Sequence, residues 1–127
     1  MRFVFALLFA SACSVSVDSN GAGGCAAGEC ACADNESCDL DCTGVNSCAA
    51  QCGTDATCNV DCADANQCAV SCQDAASCDV DCGSATSCAV SCPGTCTVEN
   101  CSLSEGCALT CAGGVAPTFS GTTATCP

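Results

Sequence analysis

Beyond Arg2 the chain has no basic side chain: Lys and Arg total 1 and His is absent, against 14 Asp and Glu. Nucleic acid is therefore excluded as a partner, because its phosphates are held by Lys and Arg. Direct docking on anionic lipid headgroups fails for the same reason. With no His, Lys or Tyr past the second residue, Ser-His, Cys-His and Ser-Lys nucleophile pairs cannot be built. Mixed cysteine–histidine zinc sites are excluded too. Trp and Tyr are missing, and of 4 Phe three fall within the first nine residues, leaving Phe119. A chain so poor in large side chains cannot form an ordinary apolar core and must lean on covalent cross-links. A carboxylate pair for glycoside chemistry remains conceivable, but without aromatics a small chain has little with which to build a sugar cleft. No catalytic constellation is present, and the chain reads as a non-enzyme.

What is present begins with a leader. Met1-Arg2 is a short positive start, Phe3 to Ala10 is an apolar run, and Ala10-Ser11-Ala12 is small at every position. That order describes a secretory signal peptide over residues 1–12. The run is well short of the roughly 20 residues needed to span a bilayer. Ala10-Ser11-Ala12-Cys13 resembles the lipobox of bacterial lipoproteins, here of a small cysteine-rich kind, although Ala10 stands where that family most often has Leu. The resemblance implies lipidation of Cys13, a membrane anchor through that lipid and, from Ser14, sorting to the bacterial outer membrane or cell surface. The same site suits ordinary signal peptidase, which would leave a secreted or periplasmic protein. Parity favours the lipid. The chain has 21 Cys, and setting Cys13 aside leaves an even number, whereas an odd cysteine in an exported protein calls for an explanation. Export and cysteine density agree, since disulfides persist in oxidising compartments.

The body is a decapeptide repeat. Cys38, Cys48, Cys58, Cys68, Cys78 and Cys88 each begin a Cys-x-x-x-Cys unit. A variant runs from Cys96 to Cys101, a last copy from Cys107 to Cys111, and an opening half-copy is centred on Cys30. The middle residue is always apolar (Leu40, Ala50, Val60, Val70, Val80, Val90, Val98, Leu109) and its neighbours are small or polar. Such alternation with period two is the pattern of a short strand with Cys, Val and Cys turned inward. The spacers carry Gly, Ser, Thr, Asp and Asn, which is turn chemistry. The outward residues alternate between copies: Asp39/Asp41, Asn59/Asp61 and Asp79/Asp81 in one series, Ala49/Gln51, Ala69/Ser71 and Ala89/Ser91 in the other. The unit is therefore about 20 residues with two strands. It predicts an all-β fold: a small, flattened, disulfide-braced β-solenoid over residues 25–111, in which like strands stack in parallel about 4.8 Å apart. Residues 13–24 read as a flexible tether, and residues 112–127 as a C-terminal cap or tail.

Structural disulfides are the leading reading of the cysteines. Cysteines four apart on a strand lie about 13 Å from each other, beyond the reach of a disulfide, so no Cys-x-x-x-Cys closes on itself. Closure across each turn gives Cys25–Cys30, Cys32–Cys38, Cys42–Cys48, Cys52–Cys58, Cys62–Cys68, Cys72–Cys78, Cys82–Cys88, Cys92–Cys96, Cys101–Cys107 and Cys111–Cys126. Bonds between stacked coils are the rival pairing. An exported, metallothionein-like thiol protein is the alternative function, although the chain has no Cys-x-x-Cys pair. Redox catalysis lacks that motif as well.

The acidic series is the other feature above background. Stacking Asp39, Asn59 and Asp79 beside Asp41, Asp61 and Asp81 sets like charges one strand spacing apart, which repels and raises carboxyl pKa values. Calcium would relieve it; the competing reading is a solvated face that keeps the protein soluble. No cofactor is required. The architecture resembles the disulfide-braced antifreeze solenoids of insects, but those depend on outward Thr rows, and Asp, Ala and Ser stand here instead. The function expected is an exported, lipid-anchored structural or interaction module whose protein or polysaccharide partner the sequence does not name. Intact-mass measurement of the exported protein should find a lipidated chain beginning at Cys13; a mature chain beginning at Met1 would contradict export.

Overall fold

The computed structural model describes residues 22–24, 29–63, 65–102 and 106–127. The signal segment, Cys13 and Cys25 lie outside the described residues. Among these residues the strands form two sheets. The first, sheet A, contains β1 (Ala22–Gly24), β3 (Ser37–Asp41), β5 (Thr57–Asp61), β7 (Ser77–Asp81) and β9 (Cys96–Glu99), stacked in parallel. Sheet B contains β2 (Glu29–Cys32), β4 (Ser47–Cys52), β6 (Gln67–Ser71), β8 (Ser87–Cys92) and β10 (Cys107–Cys111), also parallel. Successive strands alternate between the sheets. Cys38 aligns with Cys58 and Cys48 with Cys68, an offset of one coil. The molecule is a flattened solenoid of about four coils, each about 20 residues long.

The alternation in sequence is the alternation in burial. In β3 and β5 the cysteine and its apolar neighbour two residues on are buried, while the residues beside them are exposed. Each sheet contributes one layer of side chains to the interior. Leu40, Val60, Val80 and Val98 from sheet A face Ala50, Val70, Val90 and Leu109 from sheet B, with cysteines on either flank. No buried residue is polar or charged among those described. Parallel sheets normally need helices on their faces. Here each sheet covers the inner face of the other, and the short turns make any helical crossover unnecessary.

The turns are not interchangeable. In four of them the amide of the third residue after a cysteine donates to that cysteine's carbonyl: Val45 to Cys42, Ala65 to Cys62, Ala75 to Cys72 and Ala85 to Cys82. In two more the bond starts one residue later, from Glu36 to Ala33 and from Ala56 to Gly53. The alanine of the turn (Ala56, Ala65, Ala75, Ala85) tucks inside and closes the edge of the core. Between coils the amide of Thr86 donates to the Asn66 carbonyl, and that of Asn66 to the Asn46 carbonyl, so the turns stack as the strands do.

Both ends depart from the repeat. Ala22–Gly24, the end of the segment read as a tether, pairs in register with Asp39–Asp41. A glycine-rich stretch can still donate and accept along its backbone, and the free edge of β3 offers partners. At the other end the chain leaves β10 through a 3-10 turn at Ala112–Gly114. It then forms an antiparallel hairpin of β11 (Thr118–Ser120) and β12 (Thr123–Thr125). Strand β12 pairs antiparallel with β9 and places Ala124 beside Val98, in the core. This hairpin covers the β9 edge of sheet A, whose unpaired backbone groups would otherwise be open to another chain.

Stacking also dictates glycine, most tightly at Gly83. At Gly83 φ is +52°, and a Cβ there would lie 2.3 Å from Cα of Ala63 in the coil below. Gly83→Ala should therefore destabilise the oxidised protein by more than the roughly 1–3 kcal/mol of backbone strain alone. Denaturant unfolding of both proteins measures this; an unchanged midpoint would contradict the coil contact.

Candidate functional site

Two features could carry function: the outer faces of the sheets and the sulfur ladders along their edges. On sheet A the register forms two ranks of side chains. One reads Asp39, Asn59, Asp79, Thr97, and the other Asp41, Asp61, Asp81, Glu99. All of these side chains are outward and most are exposed. On sheet B the matching ranks are Ala49, Ala69, Ala89, Ala108 and Gln51, Ser71, Ser91, Thr110. From β4 onward these two ranks contain no charge; Glu29 of β2 aligns with Ala49 at their start. The rod thus has one acidic face and one neutral face, because each decapeptide supplies one strand and consecutive strands go to opposite sheets.

The acidic ranks are organised differently from each other. In the first, Asn59 interrupts the carboxylates, and its Nδ2 donates to Asp39 Oδ1 at 2.9 Å. An amide between two aspartates replaces two like-charge contacts with a hydrogen bond. In the second, each aspartate ends its strand and turns back on its own loop. Asp41 Oδ1 accepts from the Thr43 amide at 2.8 Å, Asp61 Oδ1 from the Ala63 amide at 2.9 Å and Asp81 Oδ1 from the Gly83 amide at 2.8 Å. This Asx-turn geometry satisfies a turn amide locally. Asp81 Oδ1 also accepts from Asn100 Nδ2 at 2.7 Å. Repulsion along the rank would raise a carboxyl pKa, yet at Asp41 the hydrogen bonds win. The Thr43 hydroxyl, and after it the Thr43 amide, hold that carboxyl below its ordinary value. These turn bonds were invisible in the strand pattern. The only signal was an Asp just before each of these cysteines.

At the edges of the flattened coil, bonds across one set of turns are Cys32–Cys38, Cys52–Cys58, Cys72–Cys78, Cys92–Cys96 and Cys111–Cys126. Across the other set are Cys42–Cys48, Cys62–Cys68, Cys82–Cys88 and Cys101–Cys107. Cys30 is also disulfide-bonded, while the expected partner, Cys25, lies outside the described residues. Each set of turns therefore carries a ladder of sulfur rungs stacked along the rod. Sequence reasoning did not anticipate how closely the rungs approach one another. Cys72, Cys78 and Cys96 have their sulfurs within 4.8 Å of one another, as do Cys82, Cys88 and Cys107, and Cys30, Cys42 and Cys48. Among the described residues, these cysteine triads are the groups of three ligand-bearing side chains that come together so closely. The Sγ atoms of Cys82 and Cys107, on neighbouring rungs, are 4.0 Å apart. Neither carries a hydrogen, so this is a packing contact.

The chain matches no protein-family model, no curated protein and no solved structure. The density of disulfides by itself points to an oxidising, extracellular setting.

The Asp41 arrangement has a pH consequence. A carboxyl whose folded pKa is depressed contributes stability that is complete above its unfolded value, 3.8, and is lost as pH falls through the folded value. Thr43→Val removes the larger cause of the shift. Carboxyl-carbon NMR titration should then show Asp41 titrating closer to its ordinary value; an unchanged titration would contradict the assignment.

Proposed function

We propose that this chain is an exported structural or interaction module, held at a membrane by a lipid on Cys13, which presents a rigid acidic face away from a neutral one. The observation that carries the reading is the segregation of charge: carboxylates line the outer positions of sheet A, and Ala, Ser, Gln and Thr line those of β4, β6, β8 and β10 in sheet B. A compact rod with fixed faces suits repetitive contact with a protein or polysaccharide surface better than chemistry on a small substrate. The lack of His, Lys and Tyr after the leader supports a non-enzymatic role.

In this reading the acidic face takes calcium as its counter-ion. Asp39, Asp41, Asn59, Asp61, Asp79 and Asp81 present oxygen ligands, which hard cations prefer. Each of Asp41, Asp61 and Asp81 uses Oδ1 in its own turn. That leaves one oxygen of each carboxylate outside these turn bonds, an arrangement suited to loose, surface-held calcium of the kind bound by extracellular modules at about 10⁻⁴–10⁻³ M.

Thermal unfolding with and without calcium at about 10⁻³ M tests this directly. Calcium should raise the midpoint, and the triple variant Asp41→Asn, Asp61→Asn, Asp81→Asn should abolish the rise while keeping the turn acceptors. A parent that ignores calcium, with a triple variant more stable than the parent, would mean the face is merely solvated and self-repelling.

A further inference from the structure

We propose that two neighbouring rungs of a sulfur ladder, once reduced, become a four-thiolate site for a soft or borderline divalent ion such as zinc or cadmium, with Cys82, Cys88, Cys101 and Cys107 as the ligands. The inference goes beyond the tethered-module reading and is independent of the lipid and the acidic face.

The geometry comes from stacking. Cys82 and Cys88 form one rung, and Cys101 and Cys107 the next. The sulfurs of Cys82, Cys88 and Cys107 already lie within 4.8 Å of one another, and those of Cys82 and Cys107 are 4.0 Å apart. A tetrahedral thiolate site with metal–sulfur bonds of about 2.3 Å has sulfur–sulfur edges of roughly 3.8 Å. The spacing between rungs is therefore close to what the ion requires. Cys101, bonded to Cys107, supplies the fourth sulfur. Within each rung the two sulfurs must separate from a covalent bond to that edge length. The Cα atoms they hang from are 5.9 and 5.2 Å apart, so side-chain rotation can accomplish this without moving strands. The pair Cys72–Cys78 and Cys92–Cys96 has the same form, with Cys72, Cys78 and Cys96 drawn together.

The chemistry balances with an external two-electron reductant, a dithiol or a phosphine. Each disulfide takes up two electrons and two protons and becomes two thiols. Four thiols then lose four protons as they bind one divalent ion, giving a tetrathiolate centre. No imidazole competes, since the chain has no His, and an all-sulfur set selects soft or borderline metals over calcium and magnesium. The ion also restores what reduction removes. One centre keeps Cys82 tied to Cys88 and Cys101 to Cys107, so both turns stay closed.

The test uses the full chain, oxidised and then reduced anaerobically with a phosphine, with and without cadmium. The metal-free reduced chain should lose its sheet signal in far-ultraviolet circular dichroism. The cadmium-loaded reduced chain should keep it, show sulfur-to-cadmium charge-transfer absorption, and hold at least two ions, one for each of the two rung pairs named. In that state Cys82, Cys88, Cys101 and Cys107 should resist alkylation together and become reactive together when a chelator removes the metal. The Cys101→Ala, Cys107→Ala variant should bind one ion fewer and leave Cys82 and Cys88 open to alkylation, with protection retained at Cys72, Cys78, Cys92 and Cys96. Cadmium-loaded chain that is as unfolded as the metal-free form would overturn the proposal, as would absence of the charge-transfer band. Continued protection of Cys82 and Cys88 in the variant would overturn the site.

Discussion

The bond between Cys42 and Cys48, repeated around the other turns, is what the rest of the molecule depends on. A strand holds its two cysteines about 13 Å apart, so each must look outward from its strand, across a turn, for a partner. The turn then has a fixed span, with Cα atoms near 6 Å apart, and the next strand must fall in the opposite sheet. On the chain-entropy account each small loop closed this way contributes roughly 2–2.5 kcal/mol. Those contributions substitute for the aromatic side chains that the interior lacks, Leu40 and Leu109 being its largest aliphatic ones. They also explain how a thin core, with valine and alanine at its centre, can hold two sheets together.

The same constraint separates the two faces. Because every decapeptide ends in a turn that switches sheets, any difference between odd and even copies becomes a difference between opposite surfaces of the rod. Asp in one series and Ala in the other are therefore kept apart by the whole thickness of the core. Placing the carboxylates on one side carries a repulsive cost, and the local devices that reduce it are visible. Asn59 breaks one rank and bonds Asp39, while Asp41, Asp61 and Asp81 each satisfy an amide of their own turn. The acidic face is thus partly a turn-forming device, whatever cation it meets.

Much of this was legible in the chain. Cys-x-Val-x-Cys reads as a strand because its period is two, and the 20-residue alternation of Asp and Ala fixes two strands per coil. What escaped was whatever does not repeat. Thr118–Ser120 and Thr123–Thr125 form the capping hairpin, but they occur once and offer no periodic signal. Ala22–Gly24 pairs with β3, but its sequence is glycine-rich and lacks the Cys-x-Val-x-Cys pattern. The buried turn alanines, Ala65, Ala75 and Ala85, recur at one place in their spacers, yet small residues in a spacer also suit an exposed loop. The approach of Cys82 to Cys107 follows only once coils are stacked in register, because the distance joins residues 25 apart in the chain. The lipid on Cys13 and the bond expected at Cys25 concern residues outside those described.

Disulfide mapping tests the central claim most directly. The protein has no tryptic site past Arg2, so cleavage without reduction should use an aspartate-specific protease, which cuts within two of the loops at Asp55 and Asp74. The account predicts cross-linked peptides joining Cys52 to Cys58 and Cys72 to Cys78, the two halves of single turns. Predominant links between cysteines one coil apart, such as Cys52 to Cys72 or Cys58 to Cys78, would show that covalent bonds run along the rod rather than across its turns, and would contradict it.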